Sequence, residues 1–182
     1  MKKVFVFLAE GFEEIEAVAT IDVLRRGELD VTSVSITGKK VVTGAHNIPV
    51  SADKLFEDVD FSAGDMLILP GGTTGAINLN AHEGLKKLIM QYNTSGKKLA
   101  AICAAPLVLG GLGLLQGKNA TCYPGYEPQL TGAILQPDKV VKDGNIITSK
   151  GPGTAVDFGL VIVAELQSQD KADEVAKGML LK

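Results

Sequence analysis

Two cysteines and two histidines are all that this chain of 182 residues offers in thiol and imidazole ligands. Cys103 and Cys122 cannot build a disulfide framework and lack C-x-x-C spacing, and His46 and His82 form no ligand pair with them. That points away from a structural zinc site, and no metal is expected. Basic charge is equally scarce. A net charge of −3 leaves no basic surface to attract nucleic acid or an anionic membrane, so neither is expected as a partner. No apolar run approaches the length that spans a bilayer. The opening "MKKVFVFLAEGFEE" has an apolar stretch, Val4 to Ala9, too short for a secretory leader, and it meets acids in place of a cleavage site. A cytoplasmic protein is expected. Repeats, low-complexity tracts and linkers are missing too, which predicts one domain over residues 1–182. Phosphate-cradling patterns are also lacking. Neither "LILPGGTTGAINL" nor "GGLGLLQGKN" fits G-x-G-x-x-G or G-x-x-x-x-G-K-[ST], so no nucleotide or other cofactor is expected.

What is present alternates. "KKVFVFLA" is a continuous apolar run of strand length, and "EEIEAVATIDVLRRG" follows as a helix with acids at its start, arginines at its end and Gly27 to stop it. "DVTSVSIT" and "DMLILPGG" read as strands, "AHEGLKKLIMQYNTSG" as a helix closed by Gly96, and "KKLAAI" as a strand. "APLVLGGLGLL" reads as a helix, "KNATCY" as a short strand and "TAVDFGLVIVAELQ" as a long apolar helix. "KKVVTGAHNIPVS" and "DKVVKDGNIITS" look like hairpins, the second turning at Asp143-Gly144. Strands alternating with helices predict an α/β fold whose mainly parallel sheet is covered on both faces, with ligands bound beyond the carboxyl ends of its strands. From Ile15 to Leu24 apolar residues occupy nearly every direction around the helix axis, so this helix needs a second apolar neighbour. A homodimer packed partly through it is expected to supply one, in preference to the alternative of a further covering helix of the same chain.

Three strand ends carry candidate chemistry. After the first, Glu16 sits among Ile15, Ala17 and Val18, whereas Glu13 and Glu14 in the first turn read as solvated acids that oppose the helix dipole. Read alone, Glu16 is more commonly explained as an ordinary helix-surface glutamate. After "LILP" come Gly71 and Gly72, whose backbone N–H groups could turn toward a ligand as an oxyanion hole, or could simply make a tight turn. The third end is Cys103 in "LAAICAAPL", between a strand and a Pro-led helix, with small alanines that permit a strained turn. It is either a presented thiolate or an inert buried thiol. Were Cys103 and Glu16 to meet, ionising both would be costly, and one proton, held largely by the carboxyl, would serve the pair. Cys122 reads as packing and His82 as surface.

The ordered set "EGFEEIE", "LPGG", "AAICAAP", "TCYPGYE" and "SKGPGT" resembles the ThiJ/PfpI superfamily, in the branch of the parkinsonism-associated protein deglycase and its bacterial relatives. The resemblance covers the whole chain. It implies a flavodoxin-like three-layer sandwich that forms a homodimer with its active site near the subunit interface. It also implies a nucleophile at Cys103, a carboxyl partner at Glu16, and oxyanion donors at Gly71, Gly72 and Ala104. His46 lies in a loop that, in the family dimer, approaches the partner's site, which makes it a candidate helper. Where protease-like branches place a histidine immediately after the cysteine this chain has Ala104, and where some deglycase-like members have a histidine it has Tyr123, a second candidate helper. The implied activity is cofactor-free, glutathione-independent conversion of small 2-oxoaldehydes such as methylglyoxal or glyoxal to hydroxy acids, or repair of related adducts on proteins. The competing expectation is a non-catalytic sensor of oxidative stress, or a holdase-type protector, acting through oxidation of Cys103.

Overall fold

Every residue from Val4 to Leu8 is buried, as a strand covered on both faces requires, and this run forms the body of β1 (Lys3–Leu8). In the computed structural model, which describes residues 1–181, β1 leads into α1 (Glu14–Arg26), β2 (Asp30–Ser35), β3 (Val41–Thr43), β4 (Pro49–Ser51) and β5 (Lys54–Leu55). The chain continues through β6 (Met66–Leu69), α2 (Thr73–Ala81), α3 (Glu83–Thr94), β7 (Lys98–Ile102), α4 (Pro106–Gly111), β8 (Asn119–Ala120) and β9 (Ile134–Leu135). It ends with β10 (Val140–Asp143), β11 (Ile146–Ser149), α5 (Ala155–Leu166) and α6 (Gln169–Gly178).

Seven strands form the central sheet in the order β10-β11-β7-β6-β1-β2-β5, parallel throughout except for the edge pair β10–β11. Helices α1, α5 and α6 pack together on one face and α2, α3 and α4 on the other, giving the expected flavodoxin-like three-layer α/β sandwich. From β1 the chain moves outward to β2, then crosses to place β6 on the opposite side of β1. That reversal opens a crevice beyond the carboxyl ends of β1 and β6. The segments after β1, β6, β7 and β11 all emerge at this end of the sheet.

Both expected hairpins form. β3 pairs antiparallel with β4 outside the central sheet, and Gly144 turns the β10–β11 pair at φ +61°. Other expectations are revised. "KNATCY" contributes only β8, paired with β9 outside the central sheet, because the Thr121 N–H donates to the side-chain Oγ1 of Thr148 in β11 and not to a strand carbonyl. Helix α2 was not expected, since paired glycines read as a turn; here Gly72 is itself the residue that starts the helix. Helix α6 is mostly polar and rests on the cap at Ser168, whose Oγ accepts the Lys171 N–H at 3.1 Å, and on burial of Ala172, Val175 and Ala176. Gly27 does not adopt the left-handed conformation of a helix stop, which falls on Glu28 (φ +57°). Its lack of a side chain matters for packing: a Cβ there would lie 2.6 Å from Val163 of α5. Gly159 of α5 meets Val23 in the same way, at 2.8 Å. The second apolar neighbour of α1 is thus α5 for this stretch of the helix, while Ile15 and Val18 stay exposed on another face. His82 is not a free surface residue; its Nδ1 caps α3 by accepting the Leu85 N–H at 2.9 Å, and its ring packs on Phe56. Among the described residues no helix is long and apolar enough to cross a membrane.

Candidate active site

Cys103 follows β7 directly and holds φ +66°, a left-handed conformation that costs a non-glycine residue about 1–2 kcal/mol. Three backbone hydrogen bonds keep it there. Its N–H donates to Ser149 O at 2.9 Å, its carbonyl accepts the Tyr123 N–H at 2.8 Å, and Ala105 N–H closes the turn on Ile102 O at 3.1 Å. The small neighbours Ala104 and Ala105 are buried, as expected for a turn with no room for larger groups. The strained residue, fixed from two other segments, thus sits at the carboxyl end of β7, the end of the sheet at which the crevice opens.

Glu16 comes to the same place from α1. It is fully buried, and its Oε2 accepts the Gly71 N–H at 2.7 Å. A Cβ placed on Gly71 would lie 2.6 Å from Cys103 Cβ and 2.7 Å from Glu16 Oε2, so both side chains press on the same backbone position. The structure therefore brings Cys103 and Glu16 together, as the sequence led us to expect. It also corrects the donor set. The Gly71 N–H is committed to Glu16 and cannot serve an oxyanion, whereas the N–H groups of Gly72 and Ala104 address the Cys103 sulfur.

Gly72 is required by its surroundings. It has φ +86°, and a Cβ there would meet Gly11 O at 2.4 Å and Glu13 N at 2.8 Å. Gly72→Ala should destabilise the fold by roughly 3 kcal/mol or more, read as a lowered denaturant midpoint, since strain and backbone overlap add.

Electrostatics bind the pair further. Burial pushes Glu16 up to about 7, with the Glu13 charge adding to the rise, while Cys103 and the Gly71 N–H pull it down. Burial, then the charge of Glu16 and its hydrogen bond, pushes the Cys103 thiol up to about 12 against the pull of the Gly72 and Ala104 N–H groups. One proton thus leaves the pair near neutrality, and the charge left behind resists loss of the second. Glu16 Oε1 is buried with no hydrogen-bond partner. It faces Gly151, 3.9 Å from where a Cβ would stand, and that same Cβ would lie 3.0 Å from the Tyr123 ring. Tyr123, half exposed, and Gly151 therefore wall the space in front of the carboxyl. Cys103 remains 7% exposed. A cavity of about 370 Å³ is lined by Thr121, Cys122, Glu127 and Lys150 and one of about 410 Å³ lies between α5 and α6; Cys103, Glu16, Tyr123 and Gly151 line neither. Cys122 is buried, and burial ahead of the Glu127 charge pushes its thiol up to about 11.

Glu13 and Glu14 are not solvated acids; each is buried. Glu13 caps α1, its Oε2 accepting the Glu16 N–H at 2.7 Å, and its own N–H donates to Gly71 O at 3.0 Å. Glu14 accepts the His46 and Ile48 N–H groups and meets His46 Nδ1 at 2.7 Å. His46 is therefore held at the start of α1 and not against the sulfur. The repeat E-x-x-E in "EEIE" was the available signal for Glu13, being the spacing of a helix cap to its third residue. For Gly151 the sequence offered only "SKGPGT". Ligand atoms of Glu13, Glu14 and His46 lie within 4.8 Å of one another, a donor set that could hold a divalent cation. The positive end of α1 and the hydrogen bonds already made there oppose one.

The family model described as DJ-1/PfpI family matches residues 2–165. Protein DJ-1 homolog B of Arabidopsis thaliana is 42% identical over 183 residues, covering 100% of this chain, which spans only 42% of that relative's length. Glutathione-independent glyoxalase DJR-1.2 of Caenorhabditis elegans is 36% identical over 176 residues, covering 94% of this chain and 92% of that protein. Among solved structures, oxidized DJ-1 of Toxoplasma gondii superposes with a TM-score of 0.95 at 35% identity, covering 99% of this chain and 98% of that one.

Proposed function

The chain belongs to the DJ-1/PfpI family, and on that footing we propose that it converts small 2-oxoaldehydes to 2-hydroxy acids without glutathione, using Cys103 as nucleophile and Glu16 as proton carrier. The observation that carries this reading is the buried Glu16 beside Cys103, with one carboxyl oxygen satisfied by Gly71 and the other unpartnered toward the Tyr123–Gly151 wall. The glyoxalase relative supports the substrate class.

We assign the single proton of the pair to Glu16, which is fully buried, and the charge to Cys103, whose sulfur the Gly72 and Ala104 N–H groups address. The sulfur adds to the aldehyde carbon of methylglyoxal, the new oxyanion is met by the N–H groups of Gly72 and Ala104, and Glu16 delivers its proton to that oxygen. The Glu16 carboxylate then removes the hydrogen from the former aldehyde carbon to give an enediolate, whose hydroxyl proton passes to the neighbouring oxygen while Glu16 returns its proton to the neighbouring carbon. The product of this shift is a lactoyl thioester on Cys103. Water cleaves it, releasing lactate and restoring the thiol, so one methylglyoxal and one water give one lactic acid. Repair of 2-oxoaldehyde adducts on proteins would start from the same hemithioacetal chemistry.

We further propose that a second copy covers Ile15 and Val18, which are 57% and 47% exposed beside the site-bearing end of α1, and that the protein acts in the cytoplasm. The test of the activity is direct: protein and methylglyoxal are mixed without glutathione, and lactate is followed by proton NMR. Lactate formed by the wild type and not by Cys103→Ala supports the reading. Equal lactate from both contradicts it. A second reading, a peroxide sensor acting through Cys103, draws on the oxidized Toxoplasma structure. It gains if the wild type makes no lactate while peroxide oxidises Cys103 ahead of Cys122.

A further inference from the structure

The β3–β4 hairpin is fastened to the beginning of α1 by more bonds than a surface loop needs. Gly11 N–H donates to Thr43 O and Ala45 N–H to Phe12 O, both at 2.8 Å. At the tip, the backbone closes over a carboxylate: the His46 N–H donates to Glu14 Oε1 at 2.7 Å while the His46 ring meets Oε2 at 2.7 Å. Gly44 makes the close approach feasible, since a Cβ there would lie 2.3 Å from the Glu14 carboxyl carbon. The same ring nitrogen stands 4.0 Å from Glu13 Oε1, and the other oxygen of Glu13 accepts the Glu16 N–H at 2.7 Å. Two buried carboxylates thus lie between an exposed imidazole and the carboxyl that serves Cys103.

We infer that His46 is a positioning residue for the Cys103–Glu16 pair: its positive charge, set against Glu14 and Glu13, fixes the pH at which that pair gives up its first proton. The inference rests on the reading of Cys103 and Glu16 given above. The charge balance is local. Among the described residues, the ionisable groups acting on Glu16 are Cys103, from the turn after β7, and Glu13, from its own helix end. Those acting on His46 are Glu14 and Glu13, and their bond and charge hold the imidazole protonated to higher pH than usual. Glu10, on the loop after β1, is turned away to the Thr43 N–H at 3.1 Å. With His46 charged, the negative field of Glu13 and Glu14 is offset, and the pair can carry its own negative charge. Without that offset the pair keeps its proton to higher pH.

The experiment is the pH dependence of Cys103 alkylation by iodoacetamide, with the site identified by mass spectrometry and no substrate present. His46→Asn should raise the midpoint by about 0.5–1 pH unit. His46→Lys, which restores a charge without the ring, should bring it back to the wild-type value, and Glu13→Gln should lower it. A purely structural histidine predicts the opposite grouping, with Asn and Lys alike. An unchanged midpoint in His46→Asn, or a His46→Lys midpoint equal to that of His46→Asn, overturns the inference. Should His46→Asn fail to fold, the direction of the Glu13→Gln shift decides, and a rise or no change there overturns it. Because alkylation needs no turnover, this outcome is independent of whether methylglyoxal is the substrate.

Discussion

Cys103→Ala is expected to abolish lactate formation from methylglyoxal, a fall of at least about 10⁴-fold in kcat. The size follows from what is removed. Without the sulfur the proposed covalent adduct cannot form, and the N–H groups of Gly72 and Ala104 lose the sulfur they address. The alanine should cost little stability, because Cys103 is mostly buried and a small side chain suits its left-handed turn nearly as well. Steady-state lactate production and a thermal melt, measured on the same preparation, separate the two effects. Residual turnover within tenfold of wild type would remove Cys103 from the mechanism.

Glu16→Gln should divide two roles that the glutamic acid combines. The amide oxygen can accept the Gly71 N–H as Oε2 does, at 2.7 Å, which places the NH₂ group where the unpartnered Oε1 stands. That group cannot carry a proton between carbons, while the Gly72 and Ala104 N–H groups still address the sulfur. Cys103 should therefore stay reactive toward iodoacetamide near neutral pH, while lactate formation falls about 10²–10⁴-fold. Stability should move the other way. Glu16 ionises near 4.5 when unfolded, whereas in the fold burial raises the first proton loss of the Glu16–Cys103 pair to about 7. The fully protonated pair thus favours folding, in full below the unfolded value of 4.5, and that contribution is lost as pH rises through 7. The loss amounts to roughly 3 kcal/mol. Glu16→Gln, which does not titrate, should match wild type near pH 4 and exceed it at pH 8, with Tm higher by roughly 5–10 °C. A variant equally stable at both pH values would contradict the account of a carboxyl held protonated by burial.

The strands and helices legible in the sequence are those whose residues bury a regular face. The runs of β1 and β6 are apolar throughout because sheet neighbours and helices enclose them, and α3 shows a clear apolar stripe at Leu85, Leu88, Ile89 and Tyr92. Helix α2 escaped because it begins on a glycine pair, and α6 because only three small or branched residues anchor it. The site was legible wherever a strand ended: Cys103 stood beside its turn-permitting alanines, and Glu16 among apolar neighbours. What could not be read was how backbone donors are shared. Gly71 and Gly72 look alike in "LPGG", yet one N–H is spent on Glu16 and the other addresses the sulfur. Glu13 and Glu14 likewise carry the composition of a wet first turn, and only a hairpin from 30 residues onward, closing over them through His46 and Ile48, buries them.

Ultraviolet absorbance of the thiolate and the infrared carbonyl band of a protonated carboxylic acid, followed together in one pH titration of the wild-type protein, address the Cys103–Glu16 pair most directly. With Glu16→Leu as reference, the account predicts that thiolate appears with a midpoint near pH 7 while the carboxylic acid band persists well above pH 9, and that the leucine variant loses the band and forms thiolate only at higher pH. A carboxylic acid band that vanishes near pH 7 while the Cys103 thiol stays protonated would contradict it.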